Sequence, residues 1–156
     1  DWTERLRRAV ARRDSSLKIA TALAFTMHML GDLHQPLHLT KFQRGGLKHR
    51  VRYHNKRTSL HFLWDTQMLK HMLSRHGRRG VVDSISNQIP LQSHELSETD
   101  FDMWKWAQQV SQWNCRVVFK EPFVPQLHEQ ALIELLAMAS TNIVHILDSI
   151  FATFAD

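Results

Sequence analysis

The sequence predicts an all-α domain, a bundle of about five helices, and three observations carry that reading. Apolar residues recur at helical spacing in separate runs: Trp2, Leu6 and Val10; Leu60, Trp64, Met68 and Met72; Trp104, Ala107, Val110 and Trp113. Glycine and proline are scarce, five and four in 156 residues, which disfavours disorder and an all-β sandwich. Two longer stretches, IATALAFTMHML and residues 127–154, carry apolar residues over most of their surface, as helices set into a core do. At this length, with 43% hydrophobic residues, the chain suits a single domain, residues 1–156, with a real core.

The elements follow in order. Asp1 with Glu4 offers a capping box for a first helix, whose far side, Arg5, Arg7, Arg8, Arg12 and Arg13, reads as a solvated basic face. Asp14, Ser15 or Ser16 can cap a second helix running to about His34 and buried on most sides. Pro36 cannot continue that helix, so the chain turns. Residues 41–57, KFQRGGLKHRVRYHNKR, hold seven Lys/Arg and no acid; Gly45-Gly46 marks a turn, and VRYHN is a short strand or irregular.

Thr58 or Ser59 can cap a third helix to about Arg75, with Trp64 in its core stripe. GRRG at 77–80 is expected to break it, leaving a loop to Thr99 with one helical turn around VVDSISN. Thr99 or Asp100 starts a fourth helix, and Pro122 and Pro125 separate it from the last. His71, His76, His94 and His128 read as surface residues and His145 as structural. The single cysteine, Cys115, permits no internal disulfide and no cysteine-based zinc cage.

The chemistry concentrates between His28 and Asp65. The pairs His28/Asp32 and His61/Asp65 are spaced i,i+4, which stacks both side chains on one helix face. His38 adds a third imidazole beyond Pro36, arriving from another direction. Imidazole nitrogen and carboxylate oxygen together make a zinc ligand set, with a satisfied His–Asp contact as the plainer alternative for either pair alone. The net charge of +5 makes a polyanionic partner plausible. The basic loop joins the two ligand pairs, so it is either solvated or a positive rim for phosphate, with Arg50 and Arg52 as candidate substrate contacts.

The string His28-x3-Asp32-x-His34-Gln35-Pro36-Leu37-His38, then Gly45-Gly46, then Leu60-His61-x2-Trp64-Asp65, resembles the single-strand-specific zinc nucleases, the nuclease P-one/S-one group of the phospholipase C/nuclease superfamily. The resemblance implies a phospholipase C/nuclease-like helical bundle with up to three zinc ions, held in part by His28, Asp32, His38, His61 and Asp65. It implies one complete three-ligand site with an open position at His38, His61 and Asp65. His28 and Asp32 would supply half of a neighbouring site, with Asp32 bridging two ions in the catalytic centre. His34 would orient a ligand from behind. Metal-activated water would then cleave phosphodiesters of single-stranded DNA and RNA, an endonuclease with 3'-nucleotidase activity on nucleotides.

Leu47 and Ser59 stand where the family commonly has Asn. The family also draws ligands from its amino-terminal portion, whereas His28 is the first histidine here, so the chain is expected to be N-terminally incomplete relative to the family, to bind fewer ions and, by itself, to be weakly active or inactive. Family members are secreted or extracytoplasmic, although no signal-peptide pattern opens this chain. The longest uncharged apolar stretch, residues 19–31, is too short to span a bilayer. Two rivals stand beside the nuclease: a zinc phospholipase C-type enzyme, against which the basic loop argues mildly, and a non-catalytic metal- or nucleic-acid-binding helical module.

Overall fold

The computed structural model describes residues 1–89 and 102–152 and is all-α apart from one hairpin. Helix α1 (Trp2–Ala11) starts at Asp1, whose carboxylate accepts from the Thr3 amide at 2.9 Å. Glu4 takes no part in that cap; it pairs with Arg8 instead. Leu6, Ala9 and Val10 are buried, and Trp2 stacks on Phe25 of α2 (Ser16–Leu33) at 4.3 Å.

Helix α2 departs from expectation. It buries Ala22, Thr26 and Leu30, while Leu17, Phe25, Met27 and Met29 are exposed. Its apolar run faces neighbours α1, α5 and α6 on one side only among the described residues, so uniform apolarity did not translate into burial all round. A 3-10 turn, Pro36–Leu39, follows, with the Gln35 side chain capping the Leu37 amide.

The basic stretch folds into an antiparallel hairpin, β1 (Arg50–Tyr53) and β2 (Lys56–Ser59), in register Val51↔Thr58 and Arg52↔Arg57. His54 and Asn55 both have positive φ, 45° and 63°, as a two-residue hairpin turn of matching twist requires. Val51 and Tyr53 point into the core and Arg50 and Arg52 outward, the two-residue alternation of a strand.

Ser59 then caps α3 (Leu60–Phe62) through the Phe62 amide. This helix passes through a π turn, Leu63–Gln67, into α4 (Met68–Ser86). The GRRG segment does interrupt α4 as expected: Gly77, at φ 66° and ψ 171°, is non-helical and divides it into two helical segments. The second segment, up to Ser86 and expected mostly as loop, is helical and buries Val81. The rest of the expected 76–99 loop, with His94 and the start of the fourth helix, lies partly outside the described residues.

Helix α5 (Met103–Ser111) is capped by Asp102, which accepts from the amides of Trp104 and Lys105. Its buried face holds Trp106 and Val110, whereas Trp104, expected in the stripe, is 73% exposed. A second π turn, Asn114–Val118, leads towards α6 (Pro125–Phe151).

Helix α6 joins two apolar clusters. Its first half packs Ala131, Leu132 and Leu135 against Leu37, Leu63, Trp64, Met68 and Val118, and its second half packs Ile146 and Ile150 against Leu6, Val10, Leu30 and Trp106. Each fully buried large side chain contributes roughly 1.5–3 kcal/mol. By length and composition α6 could cross a membrane, but in this fold it is a core helix packed on α1, α2 and α4. His128, expected at the surface, is buried at 1% exposure because it accepts a hydrogen bond from Trp64 Nε1 at its Nδ1, 3.1 Å away.

Candidate metal centre

Three segments bring the candidate ligands together. The last turns of α2 present His28 and Asp32, the 3-10 turn presents His38, and α3 with its π turn presents His61 and Asp65. The π turn widens the helix at Asp65, a feature that often marks functional positions.

The five side chains form a continuous line. His28 Nε2 lies 3.4 Å from Asp32 Oδ2, and His38 Nδ1 lies 3.4 Å from Asp32 Oδ1. The other ring nitrogen, His38 Nε2, lies 3.5 Å from Asp65 Oδ1, and His61 Nε2 lies 3.0 Å from Asp65 Oδ2. The rings of His38 and His61 are stacked, 5.3 Å apart and 14° from parallel. One ligand atom each from His38, His61 and Asp65 falls within a sphere of mutual separations of 4.8 Å. Asp32 is the link, with one oxygen towards His28 and the other towards His38.

Neighbouring groups hold two of these ligands in place. His61 Nδ1 donates to the Gly45 carbonyl at 2.7 Å, which fixes the tautomer and leaves Nε2 for a metal. Gln35 Nε2 donates to Asp65 Oδ1 at 2.6 Å. The Gly45 carbonyl is aimed by a left-handed run, Gln43, Arg44, Gly45 and Gly46, with φ of 48°, 56°, 62° and 80°. A Cβ on Gly45 would sit 2.9 Å from the Leu37 carbonyl oxygen, and one on Gly46 would meet the Leu37 side chain at 2.9 Å, so both glycines are needed for the close approach. Behind the turn, Asn114 Nδ2 donates to the Pro36 carbonyl at 2.8 Å and anchors the loop that carries His38.

These residues fit zinc. Ligands about 2.0–2.1 Å from a tetrahedral zinc lie about 3.3 Å from one another; His38 and His61 each lie near that distance from one oxygen of Asp65, and one ligand atom from each of the three lies within 4.8 Å of the others. Two imidazoles and a carboxylate are also the donor types that zinc takes in three-ligand sites with an open position.

Four of the five ligands, His28, Asp32, His38 and Asp65, line a cleft of about 420 Å³ together with Gln35 and with Leu132, Leu135, Leu136 and Ala139 of α6.

The S1/P1 Nuclease family model matches residues 1–142. The chain belongs to the S1/P1 nuclease family. It is 27% identical over 110 residues to Endonuclease 2 of Arabidopsis thaliana, covering 68% of this chain and 33% of that protein. It is 47% identical over 47 residues to Nuclease S1 of Aspergillus oryzae, covering 30% of this chain and 16% of the relative. Nuclease P1 of Penicillium citrinum is 39% identical over 66 residues, 40% of this chain and 24% of that protein. The chain thus spans a third or less of the length of these S1/P1 relatives.

Two sequence-based expectations for this S1/P1 chain read differently in three dimensions. His34 does not touch any of the five ligand residues through a hydrogen bond. It is buried, its Nδ1–H donates to the Leu30 carbonyl at 2.7 Å, and its Nε2 accepts from Asn142 at 2.9 Å. Burial pushes its pKa below the usual histidine range, so it is a neutral strut between α2 and α6. The residue that orients a ligand is its neighbour Gln35, which the sequence pattern had placed only as part of the string.

Arg50 and Arg52 are exposed on the outer face of β1, and none of residues 41–57 lines the cleft. The loop reaches the site through the Gly45 carbonyl, which accepts from His61 Nδ1. His61 and Asp65 sit where the hairpin hands the chain to α3, so the loop serves as a scaffold for one of the two ligand pairs.

Proposed function

We propose that the chain is the ligand-bearing part of a zinc-dependent nuclease that cleaves single-stranded DNA and RNA and removes 3'-phosphates from nucleotides. The observation that carries this reading is the convergence of His38, His61 and Asp65, two of which line the cleft, with His28 and Asp32 continuing the line. Membership of the S1/P1 family and the names of its relatives support the nucleic-acid substrate. When bound, zinc supplies Lewis acidity, which acidifies water and offsets negative charge on a phosphoryl group.

The chain's own residues do the positioning. His38, His61 and Asp65 would hold the ion, the Gly45 carbonyl fixes the tautomer and orientation of His61, and Gln35 keeps Asp65 from rotating away. Asp32, with one oxygen towards His28 and the other towards His38, would be available to a neighbouring ion in the catalytic centre. The leucine wall of α6 gives a base an apolar surface while the sugar-phosphate faces the carboxylates and imidazoles. Arg50 and Arg52 lie outside the cleft and would add sequence-independent attraction for the backbone. No side-chain nucleophile is required.

Digestion of single-stranded oligonucleotides tests the reading. Cleavage that is weak for the chain by itself, needs zinc, stops with a chelator and is lost in His61→Ala is expected. Chelator-insensitive cleavage, or full activity in His61→Ala, contradicts it. Hydrolysis of phosphatidylcholine without cleavage of nucleic acid would favour the phospholipase C-type enzyme.

A further inference from the structure

We propose that His54, His71 and Glu129 form a second metal site, outside the cleft, for a borderline divalent ion such as zinc. The three residues come from the hairpin turn, α4 and α6, and one ligand atom from each lies within 4.8 Å of the others. The His54 and His71 rings are 4.0 Å apart between centroids. None of the three lines the cleft of the first site, and the inference does not depend on the nuclease reading.

Two further observations point to a ligand. His71 Nε2 is buried with no hydrogen-bond partner, a costly state for a polar atom unless something occupies the space beside it. Glu129 is already oriented: Tyr53 Oη donates to its Oε1 at 2.6 Å, leaving the second oxygen for another partner. Burial and the neighbouring His54 keep His71 in the neutral form that ligates metals.

The donor set chooses the class of ion. Two imidazoles with one carboxylate suit zinc and its transition-metal neighbours, whereas calcium and magnesium require mostly oxygen. Arg75 and His76 stand near His71, so a hard cation held by charge alone is disfavoured there. Three ligands leave one position for water, as in open zinc sites.

The site would tie the hairpin tip to both long helices. Strand β2 ends at Ser59, the cap of α3, two residues before His61. An ion at the second site therefore fixes the strand that leads into the first one.

Zinc stoichiometry of the whole chain tests this, measured by equilibrium dialysis in a His61→Ala/Asp65→Ala background. Circular dichroism checks the fold, and cobalt absorption reports coordination. Retention of one zinc equivalent with a rise in Tm is expected, and adding His54→Asn or Glu129→Gln should abolish both. Asn tolerates the left-handed turn position, and Gln keeps the Tyr53 hydrogen bond, so both variants preserve the local fold. If the double variant does not fold, His54→Asn alone should lower the zinc content of the otherwise native chain by one equivalent. Zinc content that is unchanged by His54→Asn and Glu129→Gln overturns the proposal, as does a folded double variant with no zinc.

Discussion

Gln35 Nε2 donates to Asp65 Oδ1 across 2.6 Å, joining the 3-10 turn that carries His38 to the π turn that carries Asp65. The same side chain's Oε1 accepts from the Leu37 amide, so one amide group both caps the turn and orients a ligand. Groups that orient ligands typically contribute 10–100-fold to metal affinity. Gln35→Ala should therefore weaken zinc binding by roughly that factor, and loss of the cap should cost about 1 kcal/mol. Competition with a chromophoric chelator and urea unfolding measure the two effects separately. An unchanged zinc affinity would show that Asp65 is held by other groups.

Gly45→Ala should harm both fold and site. Its φ of 62° belongs to the left-handed region, and the added Cβ would approach the Leu37 carbonyl oxygen at 2.9 Å. The expected loss is about 1–3 kcal/mol, read as a lower urea midpoint, with weaker zinc binding because the carbonyl that holds His61 moves. The same substitution at Gly31, whose Cβ would meet nothing within 4 Å, is the control.

Stability should fall in mild acid because of His128. Burial, with His49 as a lesser cause, lowers its pKa from 6.5 to about 4, so the folded state keeps it neutral while the unfolded chain takes up a proton near 6.5. The stabilisation is fully present above pH 6.5 and is lost as pH drops towards 4, on the order of 3 kcal/mol over that window. His34, also lowered by burial, acts in the same direction. Urea unfolding at several pH values should show the slope, and His128→Gln, which cannot take the proton, should flatten part of it. An identical slope in the variant would place the acid sensitivity elsewhere.

Arg50 and Arg52 give a prediction about salt. Both are exposed and neither lines the cleft, so Arg50→Glu/Arg52→Glu should leave zinc binding intact. If they meet phosphates, the salt dependence of single-strand affinity should become shallower by about 0.7 in log–log slope for each phosphate no longer neutralised. Fluorescence anisotropy at several salt concentrations decides it, and an unchanged slope means that these arginines are merely solvated.

The sequence disclosed what depends on near neighbours. The His28/Asp32 and His61/Asp65 pairs were visible because a helix turns spacing into proximity, and the Asp1 and Ser59 caps because a cap is local. The hairpin turn at His54-Asn55 carried a signal in its Asn, which tolerates positive φ.

What was hidden depends on distant partners. Trp64 meets His128 and Tyr53 meets Glu129 across 64 and 76 residues, and no periodicity announces such pairings. Gly77 does break the helix, as its φ of 66° and ψ of 171° show, but the stretch after it was expected as loop and is helical, because Val81 finds a place in the core. The exposure of Leu17 and Met29 on α2 shows the same limit, since an apolar surface specifies burial only where a partner is present to cover it.

The central claim is that His38, His61 and Asp65 hold a zinc ion, and zinc stoichiometry tests it most directly. Equilibrium dialysis should compare the native chain with the His61→Ala/Asp65→Ala variant, with circular dichroism to show that both are folded. The account predicts that the variant loses one tightly bound zinc equivalent while its helix content is unchanged. A folded variant that binds as much zinc as the native chain, with the same affinity, would contradict it.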